Sequence, residues 1–182
     1  MVRIFIALKI PKNIQEEIFI MCKGVYPEHQ IYKWEPTNKL HITLKFIGDV
    51  EKYDIKNIID SLSFISNYKI LNCSLNKFGF FFRDREPKIL WLGIKTDPEL
   101  FKIVEEINNS LEKFSIPRDH RKFKPHITLL RIKQNLPQKF VDSFVNYKLP
   151  EIKFSANEIA LIESKLQPKG SVYKDLKIYK IN

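Results

Sequence analysis

Glycine is scarce in this chain, five residues in 182. No Ser/Gly-rich or Pro-rich run interrupts it, so nothing marks a flexible domain boundary, and a single domain over 1–182 is expected. Cysteine is scarcer still. Cys22 falls in a helical pattern and Cys73 in a strand-like one, and neither has a Cys or His at metal-ligand spacing. Both read as buried free thiols rather than ligands. Although 44% of the residues are hydrophobic, no stretch approaches the ~20 apolar residues of a membrane-spanning helix. The opening Met1-Val2-Arg3-Ile4-Phe5-Ile6-Ala7-Leu8 is apolar but short, without a basic lead-in or a small-residue cleavage site. It reads as a first strand and not as a signal peptide, which makes a cytoplasmic protein with no membrane partner the expectation.

Negative charge is also under-represented. Thirty-one Lys and Arg face 21 Asp and Glu, for a net charge of +10. That balance favours polyanionic partners, nucleic acid first, although a Lys-rich surface serving solubility gives the same count. Along the chain, Arg3 to Leu8 reads as a strand, and Pro11 opens a helix with Ile14, Ile18, Met21 and Val25 on one face. A strand follows over about 40–47, then an amphipathic helix marked by Ile55, Ile58, Ile59, Leu62 and Ile65. Segments 69–78 and 88–95 read as strands around a loop holding Gly79, Arg83 and Pro87. The second half repeats this order: a helix from Asp97-Pro98, a loop over 116–125, a strand from His126, a short helix over 138–146 and three further strands. The expected fold is α+β, with two pseudo-symmetric lobes, each an antiparallel sheet backed by helices, and a cleft between them.

Only four histidines are present, and two of them open identical tetrads, His41-Ile42-Thr43-Leu44 and His126-Ile127-Thr128-Leu129. Alternation of apolar residues with His and Thr is the period of a β-strand, so each copy presents an imidazole and a hydroxyl on one face and buries Ile and Leu on the other. A lone histidine on a strand is most simply a half-buried, hydrogen-bonded residue. Two in the same context argue for a duplicated role. His29 and His120 lack such a companion and read as surface groups.

Two such strands facing each other could hydrolyse a cyclic phosphodiester. Attack on phosphorus requires water to lose a proton and the departing ribose oxygen to gain one, and a neutral and a protonated histidine can serve those ends near neutral pH. Thr43 and Thr128 hydroxyls, with Arg131 three residues beyond Thr128, could steady the phosphoryl oxygens. No Asp or Glu flanks either tetrad as a metal ligand would, so neither a metal nor another cofactor is expected.

The tetrads, together with Arg3 to Leu8, the run Trp34 to Gly48, Pro87 to Gly93, Phe123 to Leu129, and the tail Leu161 to Leu166 with Gly170 to Tyr173, resemble the 2H phosphoesterases. Among these the chain is similar to the RNA 2′,3′-cyclic phosphodiesterases, also called 2′-5′ RNA ligases. The resemblance spans nearly the whole chain. It implies a metal-independent enzyme that opens 2′,3′-cyclic phosphate ends of RNA, tRNA fragments among them, to 2′-phosphates. It further implies His41 as proton donor, His126 as proton acceptor, Thr43 and Thr128 as phosphate ligands, and Arg131 as a nucleotide contact. Phe81 stands where an aromatic would stack on the terminal base, whereas Phe82 replaces a proline usual in relatives. Lys45, Arg118, Arg121, Lys122 and Lys124 either guide the RNA backbone or belong to a solvated charged surface. A ligase joining tRNA halves and a non-catalytic RNA- or nucleotide-binding module of the same fold stay open as alternatives. A monomer is expected.

Overall fold

The computed structural model describes residues 1–26, 28–168 and 170–182; the His29 side chain also lies outside the described residues. Among the described residues eight strands form one antiparallel sheet. In chain order they are β1 (Val2–Lys9), β2 (His41–Val50), β3 (Leu71–Arg83), β4 (Glu86–Thr96), β5 (His126–Arg131), β6 (Lys153–Ala156), β7 (Glu158–Lys165) and β8 (Val172–Lys180). The α-helices among the described residues are α1 (Lys12–Val25), α2 (Asp54–Ser61), α3 (Glu99–Glu112) and α4 (Gln138–Val145). Among the described residues no helix is long and apolar enough to cross a membrane.

The internal repeat read from the sequence is visible in the order of elements. Units β1-α1-β2-α2 and β4-α3-β5-α4 have matching lengths, with 14 residues in each first helix and 8 in each second. In both, a helix joins two antiparallel neighbours, β1 to β2 and β4 to β5. The sheet runs β6-β3-β4-β5-β2-β1-β7-β8. Each half is therefore a four-stranded lobe with its histidine strand innermost. The lobes join where β2 meets β5, through the single register pair Ile42 and Ile127. Neither lobe is contiguous in sequence. Strand β3 leaves the first unit to pair with β4, and β7 leaves the second to pair with β1.

Alternation assigns the two faces. Ile4, Ile6 and Leu8 of β1 are fully buried with Ile18 of α1, Ile42 of β2, Leu92 of β4 and Ile107 of α3 in one large core. Phe5 and Ala7 point the other way and form a small second cluster with Ala160 and Ile162 of β7. Buried apolar area of this kind contributes roughly 25 cal/mol per Å², and it fixes which face of β2 and β5 is left for polar groups. Cys22 and Cys73 are free and buried, and burial pushes their thiols up to about 12 and about 11.

Two segments differ from the sequence reading. The helix expected over 55–65 stops at Ser61 and gives way to a 3₁₀ turn, Ser63–Asn67. The Ser61 hydroxyl donates to the Ile58 carbonyl at 2.8 Å, competing with the helical ladder there. Segment 79–87 is not a loop, since β3 and β4 form one long hairpin reversed at Asp84 and Arg85. Both turn residues have positive φ, 54° and 64°, which is the twist that suits a two-residue hairpin turn.

Candidate active site

The tetrads fall at the starts of β2 and β5, the two innermost strands, and their polar side chains share a face. His41 and Thr43 stand opposite Lys9 and Ala7 of β1, and His126 and Thr128 opposite Gly93 and Trp91 of β4. Beyond each threonine the register slips by one residue. Ala7 pairs with Thr43 but Ile6 with Lys45, so Leu44 is extra; Trp91 pairs with Thr128 but Leu90 with Leu130, so Leu129 is extra. An extra residue inverts the side-chain alternation beyond it. Leu130 consequently turns into the core and Arg131 returns to the cleft beside His126 and Thr128, although its spacing of three from Thr128 would place it on the other face of a regular strand.

In the first lobe the same slip buries Lys45, 2% exposed. Its Nζ donates to the Pro117 carbonyl at 2.7 Å and lies 3.1 Å from Asp119, tying down the segment that leads to His126. This corrects the reading of Lys45 as an RNA-backbone or solvated residue. Arg118 is likewise taken up by Asn109, Glu105 and Glu112, of which Glu112 accepts at 3.1 Å. Arg121, Lys122, Lys124 and His120 are exposed.

Each imidazole is oriented by the backbone. The Nδ1 of His41 is 2.6 Å from the Lys39 carbonyl, and that of His126 is 2.7 Å from the Lys124 carbonyl. A carbonyl only accepts, so both Nδ1 atoms carry hydrogen, and Nε2 is the nitrogen whose proton comes and goes. The Nε2 of His41 lies 3.0 Å from Thr43 Oγ1. His41, Thr43, His126, Thr128 and Arg131 line one tight pocket, completed by Glu35, Lys39 and Tyr173. Glu35 accepts from Arg131 Nε at 3.1 Å. It is held there by the bond from its own backbone N–H to the Leu129 carbonyl, 2.9 Å.

Aromatic rings wall the histidines. Phe5 and Tyr173 lie 5.1 and 5.7 Å from the His41 ring. Phe81 stands edge-on to His126 at 5.1 Å and 90°, and Trp91 lies behind it. Phe82 points to the other face, toward Phe80, and is 60% exposed. The burial of His41 lowers its pKa below the ordinary value, chiefly by desolvation. The Lys39 carbonyl opposes that effect, while the charges of Arg131 and His126 add to it. Tyr173 is raised, first by burial and then by Glu35. Among the described residues no group of three or more His, Cys, Asp or Glu is placed to hold a metal ion.

Residues 26–167 match the family model described as the 2′-5′ RNA ligase superfamily. The chain belongs to this superfamily. It is 31% identical over 182 residues to the RNA 2′,3′-cyclic phosphodiesterase of Methanocaldococcus jannaschii, covering 96% of this chain and 98% of the relative. It is 29% identical over 179 residues to the enzyme of the same name from Archaeoglobus fulgidus, with 97% and 99% covered. A crystal structure of TT0787 from Thermus thermophilus superposes with a TM-score of 0.80 over 98% of this chain and 97% of the other, at 23% identity, and has the same fold. The α+β architecture is thus shared with that solved structure. Glu35, Lys39, Trp91 and Tyr173 escaped the sequence reading of the site, although all four lie inside segments quoted there without a role. Membership of those segments is the signal they carried, since the contacts that give Glu35 and Tyr173 a role join distant parts of the chain.

Proposed function

We infer that the chain hydrolyses RNA 2′,3′-cyclic phosphate ends to 2′-phosphates, using two histidines as acid and base and no metal. The observation that carries this reading is the convergence of two Nε2 atoms, each freed for proton transfer by a backbone carbonyl on Nδ1, in one pocket with two threonines and an arginine. The relatives named RNA 2′,3′-cyclic phosphodiesterase support it.

In this scheme the phosphate lies between the tetrads, with Thr43, Thr128 and Arg131 donating to its non-bridging oxygens as charge builds on them. His126, neutral, takes a proton from water as the water oxygen bonds to phosphorus. His41, protonated, gives its proton to O3′ as the P–O3′ bond breaks, leaving a 3′-hydroxyl and a 2′-phosphate. The pair holds one transferable proton in the productive state, on His41. Burial lowers the pKa of His41 and so favours its neutral form. A phosphate bound beside the ring adds negative charge, which favours the protonated form that the acid role needs. Phe81 supplies a stacking face for the terminal base, a contact worth ~1–3 kcal/mol. The setting we propose is a cytoplasmic monomer acting on RNA fragments, those of tRNA included.

The test is incubation of an oligonucleotide ending in a 2′,3′-cyclic phosphate, with EDTA present. Conversion to the 2′-phosphate is expected, with a bell-shaped pH profile and a rate loss of ~100-fold or more for His41→Ala or His126→Ala. Undiminished turnover in either variant, or a reaction that requires added metal, defeats the scheme.

A further inference from the structure

A second, larger depression opens from the catalytic pocket and shares Glu35, Lys39, Arg131 and Tyr173 with it. Its volume is about 640 Å³, within the ~300–1,000 Å³ of ligand sites and more than one cyclic phosphate end needs. Charge on its walls is one-sided: Arg3, Lys33, Lys39, Arg131 and Lys133 against Glu35. Phe46 of β2, a large aromatic ring 57% exposed, forms part of the wall. It occupies in the first lobe the position that Arg131 holds in the second, since the same register slip turns both toward the cleft side. An exposed ring among cations gains nothing from water, but it suits a nucleobase lying between phosphates.

We propose that this groove seats the nucleotides immediately 5′ of the cyclic end, with Phe46 stacking on an upstream base and Lys133 meeting a backbone phosphate. The substrate is then an oligonucleotide rather than a cyclic mononucleotide. This deepens the cyclic-phosphate reading and rests on it. Charge complementarity and continuity with the pocket favour a single RNA strand over any other occupant. An acidic peptide is the competing class.

The experiment is fluorescence anisotropy with 5′-labelled ribonucleotides of one, two and three residues, each ending in a 2′-phosphate. Expected is a rise in affinity of at least ~10-fold from one residue to three. The slope of log affinity against log salt should steepen by ~0.7 for each added phosphate engaged. Phe46→Ala and Lys133→Glu should each weaken trinucleotide binding about tenfold. Lys56→Glu, on α2 and outside the groove, should not weaken it. A flat length series, a variant pair that binds the trinucleotide like wild type, or displacement by polyaspartate at equal charge concentration overturns the proposal. Turnover of a cyclic end without length dependence removes the groove and keeps the proposed chemistry. Length-dependent binding that fails in both variants, but without turnover, removes the chemistry and keeps the groove.

Discussion

Gly79→Ala tests whether the indole of Trp91 is the wedge that holds His126 in place. Gly79 and Trp91 are cross-strand partners on the cleft side of β3 and β4, and the ring lies directly over the glycine. A Cβ at residue 79 would stand 2.3 Å from Trp91 Cζ2, 2.5 Å from Cη2 and 2.8 Å from Cε2. Carbon atoms pack at about 3.5–4.0 Å, so the ring must retreat by about 1 Å. Gly93 borders the same ring on another side, and the indole already reaches into the space its missing side chain leaves, since a Cβ there would stand 3.2 Å from Cζ3. Phe81 and His126, whose rings lie 5.4 and 6.3 Å from the indole, are the site neighbours that a displaced ring would disturb. Overpacking of this kind costs ~1–3 kcal/mol, and a misplacement of ~1 Å at a reacting group can cost ~100-fold in rate. Thermal melting should fall by about 3 °C per kcal/mol lost, and turnover of a cyclic-phosphate oligonucleotide should drop more than stability explains. Gly24→Ala, in a helix with open space around it, is the control and should leave both intact. A Gly79→Ala protein that melts and turns over like wild type would show that Trp91 yields freely and braces nothing.

Because the folded-state pKa of His41 is lowered, the unfolded chain takes up the proton first as pH falls. The resulting stability is present above the unfolded pKa of ~6.5 and is lost as pH drops below it toward the folded value. Denaturant midpoints at about pH 7.5 and about pH 5.5 should therefore differ less in His41→Asn than in wild type, and an equal difference would refute the burial argument. Lys45→Met keeps the apolar stem but removes the donor to Pro117, a loss of ~1–3 kcal/mol. Trypsin should consequently cut faster within 118–124, and unchanged cleavage kinetics would show the tether to be idle. Arg85→Gly relieves a positive φ of 64° and should stabilise the hairpin by ~1 kcal/mol. A lowered melting temperature would mean that the arginine side chain holds the turn.

What the sequence disclosed and what it hid divide along one physical line. Period-two alternation put His and Thr on a common face of each strand, and that placement requires only local chain geometry. The later partners depend on interruptions of the same alternation. Arg131 reaches the cleft, and Lys45 the core, because Leu44 and Leu129 are extra residues in the ladder, and neither leucine differs in sequence from an ordinary strand residue. Gly79 carried the mark of a loop, yet it lies inside a strand because Trp91, 12 positions later, needs its missing side chain. The turn at Asp84 and Arg85 lacks the Asn-Gly signature that would have announced it. The roles of Glu35 and Tyr173 were unreadable because the contacts that place them join segments far apart in the chain.

The exchange of strands between the lobes makes the two halves mutually dependent. A polypeptide cut after Asp97 would leave β3 and β4 as a hairpin without β5, and would leave β1 without the neighbour that covers its outer edge. Each histidine would then stand on a sheet missing a side. The opposed imidazoles are thus kept in register less by the one residue pair at the seam than by a chain threaded through both halves, and neither half should survive as an independently folding fragment.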